Sequence, residues 1–106
     1  MMLRVYENAM RVVDGVRGAL TQIGKRDPDL ARQLRRAVAS VPLNMSEGSY
    51  SYGLNRKARY ASAMGSMRET LACLQTAQAL GYVAAIDGEL LADIDAVIGV
   101  LWRNTH

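Results

Sequence analysis

The chain has 106 residues, half of them hydrophobic and 22% charged, which suits one globular domain over residues 1–106 and excludes intrinsic disorder. A single cysteine, Cys73, excludes an intramolecular disulfide, and no apolar run approaches the ~18 residues that cross a bilayer. The N-terminal segment lacks the apolar core of a signal peptide, so we expect a soluble cytoplasmic protein.

The formal charge of +3 is unevenly divided along the sequence. Residues 1–68 hold twelve of the thirteen cations and five acidic residues, whereas residues 69–106 hold one cation and five acidic residues. This division predicts a basic face and an acidic face, and a basic face suits a nucleic-acid partner. The alternative, to which we give equal weight, is that the cations only solubilise a helical protein.

The first predicted helix is marked by apolar residues that recur every three or four positions, as on one face of a helix. These residues are Leu3, Tyr6, Met10, Val13, Val16, Leu20 and Ile23. Gly24-Lys25-Arg26 ends the pattern. The second helix is predicted to start at Asp27-Pro28, because Asp27 can cap backbone N–H groups and Pro28 suits the first helical position.

The second predicted helix contains an internal proline. Its core stripe keeps its phase across Pro42 and consists of Leu30, Leu34, Val38, Val41 and Met45. We therefore predict one helix with a kink at Pro42, ending near Gly48, rather than two helices. Ser40 or Asn44 is expected to bind the backbone carbonyl that Pro42 leaves without a donor.

Residues 49–53 are predicted to form a loop and residues 54–80 the third helix, with Gly81 just beyond its end. The predicted core positions of this helix are Tyr60, Met64, Met67, Leu71 and Leu74. Asp87 can cap a fourth helix that runs to Arg103. Short connections favour antiparallel neighbours, so the predicted fold is an all-α, up-down-up-down four-helix bundle.

The fourth predicted helix is apolar over a wider arc than one bundle core requires. Its apolar residues are Leu90, Leu91, Ile94, Val97, Ile98, Val100, Leu101 and Trp102. In a monomer the second apolar side would face water. We therefore favour self-association over a monomer that tolerates exposed leucines.

Residue types that carry catalysis are scarce in this sequence. The single histidine, His106, is the last residue, and Cys73 lies between Leu71 and Leu74, where a small buried hydrophobe is expected. One histidine and one cysteine provide neither a zinc constellation nor a nucleophile–base pair. We predict a non-enzymatic protein without a metal site or a cofactor.

Polar residues of the second and third helices are predicted to form a structural network. Folding the two helices about residues 51–52 brings oppositely charged side chains to the same level. The expected ion pairs are Arg36 with Glu69, and Glu47 with Arg56 or Arg59. The network also includes Asn44 and Ser66, and Gly65 indicates a close approach of the helices. The alternative is that these charges are solvated.

Three segments of the chain resemble a known family. They are QLRRAVASVPLNMSEG (residues 33–48), ARYASAMGSMRET (58–70) and ALGYV (79–83). They are similar to four-helix-bundle proteins encoded in the intervening sequences of 23S ribosomal RNA genes. The positions that match the family pattern are Arg35, Arg36, Pro42, Asn44, Glu47, Gly48, Gly65, Ser66 and Glu69. Mild departures occur at Val41, Leu43, Met45 and Ser46.

The resemblance implies a kinked second helix and assembly of the bundle as a homopentameric ring, and it implies no catalytic activity. Related basic bundles are accessory proteins to the reverse transcriptases of diversity-generating retroelements, where they bind nucleic acid and the polymerase. RNA or DNA and a reverse transcriptase are therefore expected among the partners.

The candidate nucleic-acid surface combines cations, which neutralise phosphates, with tyrosines, which stack on unpaired bases. Its predicted residues are Arg32, Arg35, Arg56, Lys57, Arg59, Tyr50 and Tyr52. One alternative is that Tyr50 and Tyr52 pack under the loop. Another is that the protein is an interaction scaffold whose ring recruits a protein partner without contacting nucleic acid.

Overall fold

The computed structural model describes residues 2–106, which form five helical segments and no strand. The segments are α1 (Met2–Gly15), α2 (Arg17–Arg26), α3 (Pro28–Ser49), α4 (Gly53–Ala79) and α5 (Gly88–Thr105). The predicted all-α fold is confirmed. Within the described part of the chain, no helix combines the length and the apolar character that crossing a bilayer requires.

α1 and α2 together form the first helix predicted from the sequence, interrupted only at Val16. The Val16 N–H donates to the Val12 carbonyl at 3.0 Å, and the Leu20 N–H donates to the Val16 carbonyl at 2.8 Å. Helical hydrogen bonding therefore continues through the interruption. Gly15 and Gly18 flank it, and glycine weakens a helix by about 1 kcal/mol relative to alanine. Four helical arms result, as predicted.

The buried face of α1 lies beside the predicted one. The buried residues are Val5, Ala9, Val12 and Val16. Leu3 and Met10, predicted to be core residues, are 72% and 43% exposed, and Tyr6 and Val13 are half-buried at the border. The prediction is wrong for Leu3 and Met10 because α1 carries two adjacent apolar stripes. The stripe of smaller side chains faces the core, where it lets α1 approach its neighbours closely.

The predicted cores of the other arms are largely confirmed. The buried predicted residues are Leu34, Val38, Val41, Met45, Tyr60, Met64, Met67 and Leu74, joined on α5 by Leu90, Ile94, Val97 and Leu101. Leu30 and Leu71 are half-buried, and Cys73 is buried as expected. The wide apolar arc of α5 leaves Trp102 47% exposed.

Capping residues fix where the later helices begin. The Asp27 carboxylate accepts the Leu30 N–H at 3.0 Å, and the Asp87 carboxylate accepts the Leu90 N–H at 3.3 Å, so both predicted caps are confirmed. α3 continues through Pro42 to Ser49, which confirms a single helix. The kink at Pro42 stays a prediction.

α4 ends where the sequence predicts, at a glycine in the left-handed region. Gly81 has φ 78°; its N–H donates to the Gln78 carbonyl, and the Tyr82 N–H donates to the Ala77 carbonyl at 2.9 Å. Tyr82 then packs half-buried against the core, with the Arg26 guanidinium 5.5 Å from its ring centroid. Because Arg26 lies just before α3, this contact stands at the N-terminal end of α3. We call that end, defined by Arg26 and Tyr82, the packed end.

Candidate nucleic-acid interface

α3 and α4 pack along their lengths and position the candidate interface. Contacts between them join Gln33 to Glu69, Ser40 to Ser66, and Gly48 to Tyr60. Residue numbers rise along α3 as they fall along α4. The connection between the two helices, Tyr50–Tyr52, therefore projects beyond the helix pair. We call Tyr50, Ser51 and Tyr52, with the first turns of α4, the loop end.

Gly48 allows a close approach between the two helices. A Cβ atom on Gly48 would lie 2.4 Å from Cε1 of Tyr60, whose ring is buried at 4% exposure. Gly65, where we predicted a close approach, is exposed, and a Cβ there would meet nothing within 4 Å. The prediction is therefore wrong for Gly65, and the position that requires glycine for packing is Gly48.

The loop is held by hydrogen bonds to the end of α3. The Tyr50 N–H donates to the Glu47 carbonyl at 3.2 Å and the Ser51 N–H to the Gly48 carbonyl at 3.1 Å. The Arg56 Nε donates to the carbonyls of Gly48 (3.1 Å) and Ser51 (2.9 Å). Its Nη2 donates to the Ser49 carbonyl at 3.4 Å. The Arg56 guanidinium thus caps the negative end of the α3 dipole.

Both loop tyrosines are exposed. Tyr50 is 86% exposed and Tyr52 is 82% exposed, so neither packs under the loop. The Arg56 guanidinium lies 5.7 Å from the centroid of the Tyr52 ring, within the range of a cation–π contact. Large aromatic side chains this exposed are available to a ligand.

The predicted cations divide into two groups along the pair of helices α3 and α4. Arg56, Lys57 and Arg59 stand beside the loop in the first turns of α4, whereas Arg32 and Arg35 lie on the half of α3 nearer the packed end, about 22–27 Å from the loop at 1.5 Å per residue. Arg32 forms an ion pair with Asp29 on its own helix. The structure therefore does not bring the seven predicted contact residues into one patch.

Lys57 and Arg59 are the cations of the loop end whose side chains are free to contact a partner. Both are exposed, and neither takes part in the ion pairs found within residues 2–106. Arg59 lines a shallow concavity with Leu43, Asn44 and Glu47. Arg56 stands beside them, and its Nε and Nη2 bind the carbonyls of the loop.

The polar network predicted between α3 and α4 is neutral rather than ionic. The hydroxyl groups of Ser40 and Ser66 hydrogen-bond each other, and buried Thr70 donates to the Ser66 carbonyl at 2.9 Å. Asn44 Nδ2 donates to the Ser40 carbonyl at 2.9 Å, and the Ser40 hydroxyl donates to the Ala37 carbonyl at 3.1 Å. The prediction that Ser40 or Asn44 binds the Val38 carbonyl, which Pro42 leaves without a donor, is therefore wrong, because both side chains bind other carbonyls.

Neither predicted ion pair forms in the structure. Glu69 accepts a hydrogen bond from Gln33 at 3.4 Å instead of pairing with Arg36, which is exposed. Arg56 binds backbone carbonyls instead of Glu47. The ion pair that does connect two helices joins Arg11 of α1 to Asp93 of α5 at 3.1 Å, and this hydrogen bond raises the pKa of Arg11.

Three features of this region escaped sequence reasoning: the capping role of Arg56, the buried Thr70, and the exposure of Leu43 and Leu54. Leu43 is 65% exposed and Leu54 is 84% exposed. The exposure of the two tyrosines, by contrast, had a signal in the length of the loop, because three residues between two helices leave little room to bury two rings. No comparable signal indicated the direction of the Arg56 side chain.

Among residues 2–106, no group of three histidine, cysteine, aspartate or glutamate residues is placed to hold a metal ion. The fold and the loop end together define a small all-α bundle that presents aromatic and basic side chains on one connection. A family model described as 23S rRNA-intervening sequence protein matches residues 1–102, so the chain belongs to this family. No curated protein and no solved structure matches the chain.

Proposed function

We propose that the protein is a non-enzymatic, basic bundle that binds structured nucleic acid, RNA or DNA, through its loop end. The observation that carries the proposal is the exposure of Tyr50 and Tyr52 beside Lys57 and Arg59. Exposed tyrosines can stack on bases, and unpaired cations can neutralise phosphates. The family description refers to the intervening sequences of 23S rRNA and names no ligand, so the support comes from the loop end itself.

Charge reversal at the loop end tests this proposal. Lys57→Glu with Arg59→Glu places two carboxylates where phosphates would lie, so retention of RNA and DNA at low salt is expected to fall at least tenfold. Lys25→Glu with Arg103→Glu makes the same change of charge on α2 and α5 and serves as the control. Equal retention by the two double variants, measured by filter binding, would count against the loop end.

The architecture that we propose for this function is an antiparallel up-down-up-down bundle, assembled as a homopentameric ring. Successive residues of α3, Gln33, Ser40 and Gly48, contact successively earlier residues of α4, which supports the antiparallel order. The exposure of Leu3 and Trp102 supports burial against further copies. Native mass spectrometry at low salt reports subunit number and bound nucleic acid together. A monomer without nucleic acid would exclude the proposed ring.

We propose further that the protein serves a reverse transcriptase as an accessory. The support is the resemblance of residues 33–48 and 58–70 to the 23S rRNA intervening-sequence family, to which the accessory bundles are related, together with the basic charge of residues 1–68. A gene for a reverse transcriptase beside the gene for this chain, and co-purification of the two proteins from their own cells, are expected. A polymerase that purifies without this chain would count against the role.

A protein-interaction scaffold is the second candidate, and the exposure of Leu43 and Leu54 favours it. Two exposed leucines near one loop are typical of a protein-binding surface. Under this alternative, the Lys57→Glu, Arg59→Glu variant keeps its protein partner, whereas Leu43→Ser with Leu54→Ser loses it. A cytoplasmic location stays a prediction under both candidates.

A further inference from the structure

We infer that the loop end recognises unpaired nucleotides, in a single strand or a hairpin loop, rather than the grooves of a duplex. The inference rests on the proposed function and specifies its ligand. Its basis is the juxtaposition of two exposed rings, Tyr50 and Tyr52, with a loop that Arg56 fixes and with the free cations Lys57 and Arg59.

Both rings are open to solvent, and the guanidinium of Arg56 lies over one face of the Tyr52 ring. At 86% and 82% exposure, Tyr50 and Tyr52 keep almost their whole side-chain surface in contact with solvent. In a duplex the faces of the bases are covered by their neighbours in the stack. Only unpaired bases offer a face to an aromatic ring, and such stacking tolerates any base.

The shape of the loop end argues against reading of a groove. α3 and α4 pack side by side, and two helices of 10–12 Å diameter with axes 8–10 Å apart are together about 20 Å wide. The major groove of B-form DNA is about 12 Å wide, and that of an RNA duplex is narrower. The helix pair is therefore too wide to enter a groove across its width, which leaves the side chains of the loop as the groups that contact bases.

Arg56 acts as a positioning residue in this arrangement. Its guanidinium donates to the carbonyls of Gly48, Ser49 and Ser51, so the loop is fixed before any ligand arrives. Gly53, with φ 57°, then turns the chain into α4. A loop that is already ordered loses little conformational entropy on binding, which favours stacking on Tyr52.

The test measures fluorescence anisotropy with three labelled probes of equal length: a U12 RNA, a dT12 DNA and a twelve-base-pair DNA duplex. We expect both single strands to bind at least tenfold more tightly than the duplex. Tyr50→Ala with Tyr52→Ala is expected to weaken single-strand binding about a hundredfold, at about tenfold per lost stack. Binding of the duplex should change by less than twofold.

Matched variants separate stacking from general apolar contact. Tyr50→Phe with Tyr52→Phe keeps both rings and should bind single strands within threefold of the parent. Tyr50→Leu with Tyr52→Leu keeps apolar bulk without a ring face and should resemble the alanine variant. Because both of the side chains replaced, Tyr50 and Tyr52, are exposed, unfolding midpoints in urea should stay the same across the series.

The salt dependence distinguishes Arg56 from its neighbour. Lys57→Gln should reduce the slope of log affinity against log salt by about 0.7, the value for one phosphate contact on a single strand. Arg56→Gln should weaken binding severalfold without changing that slope, because Arg56 acts through the loop. A slope that falls equally in both variants would overturn the positioning role.

Each remaining outcome is decisive. If the duplex binds as tightly as the single strands and the alanine variant binds like the parent, the inference is overturned while nucleic-acid binding stands. If no probe binds, the proposed function fails and the inference fails with it. If both single strands bind more tightly than the duplex, the inference is supported, and the ratio of the U12 and dT12 affinities shows which sugar the site prefers.

Discussion

The two ends of α3 carry the same pair of side chains in opposite settings. At the packed end, the Arg26 guanidinium lies 5.5 Å from the Tyr82 ring, which is half-buried against the core. At the loop end, the Arg56 guanidinium lies 5.7 Å from the Tyr52 ring, which is 82% exposed. The chemistry of the pair is the same at both ends, so surroundings alone decide which tyrosine contributes to packing and which is available to a ligand.

The largest effect on stability is expected from Gly48→Ala, which alters the base of the loop end. The new Cβ would lie 2.4 Å from the buried Tyr60 ring, and overpacking of this kind costs about 2–3 kcal/mol. Gly65→Ala is the control, because a Cβ there meets nothing within 4 Å and should stabilise α4 by about 0.5–1 kcal/mol. Urea unfolding measures both, and equal midpoints would show that the loop end does not rest on this contact.

A smaller effect is expected when the two tyrosines of the comparison are removed one at a time. Tyr82→Ala should lower the free energy of unfolding by about 1–2 kcal/mol, since a half-buried ring loses part of the value of a fully buried one. Tyr52→Ala should change it by less than about 0.5 kcal/mol, as for other exposed sites. Nucleic-acid binding should respond in the opposite order, and equal unfolding costs would abolish the distinction between the ends.

Replacement of the glycine with positive φ at either end of α4 should lower the free energy of unfolding by a similar amount. Gly53 (φ 57°) and Gly81 (φ 78°) each turn the chain at one end of α4. Replacement of either by alanine places a Cβ in the left-handed region, at a cost of about 1 kcal/mol. Chemical denaturation of Gly53→Ala and Gly81→Ala checks this, and a loss confined to one variant would show that one turn can relax.

The smallest effect is expected in the interior between the two ends, where the buried thiol of Cys73 can be labelled only when the bundle opens. Burial, with the nearby Glu69 carboxylate, raises the pKa of the Cys73 thiol. The reactive thiolate therefore forms at higher pH in the folded protein, and labelling by a disulfide reagent at pH 8 should be slow until urea unfolds the chain. Labelling at the rate of the unfolded protein would indicate an open interior, and Gly48→Ala should accelerate it.

Most of the fold follows from apolar periodicity and capping residues. Asp27, Asp87 and Gly81 each mark a helix boundary by a local interaction, and local interactions depend on few residues. The face of α1 was predicted wrongly because Leu3 and Met10 form a stripe as apolar as the buried one. Periodicity finds both stripes, and only the packing of the other helices selects between them.

The candidate site was less predictable than the fold. Counting residues from the loop placed Arg36 within one turn of Glu69, but it gives no information about direction around the helix axis. Arg36 is exposed, and Gln33 takes the contact with Glu69 instead. Charge and aromatic content marked Tyr52 and Lys57 as candidates, whereas the hydrogen bonds that hold the loop depend on where Arg56 points, which pattern alone does not fix.

The contact between Gly48 and Tyr60 also constrains how the sequence can evolve. A side chain larger than hydrogen at position 48 needs space that the buried ring at position 60 occupies. Replacement of Tyr60 by a smaller residue would open that space. Substitutions in a descendant lineage are thus ordered in time: position 60 must shrink first, and only then does position 48 become free to vary.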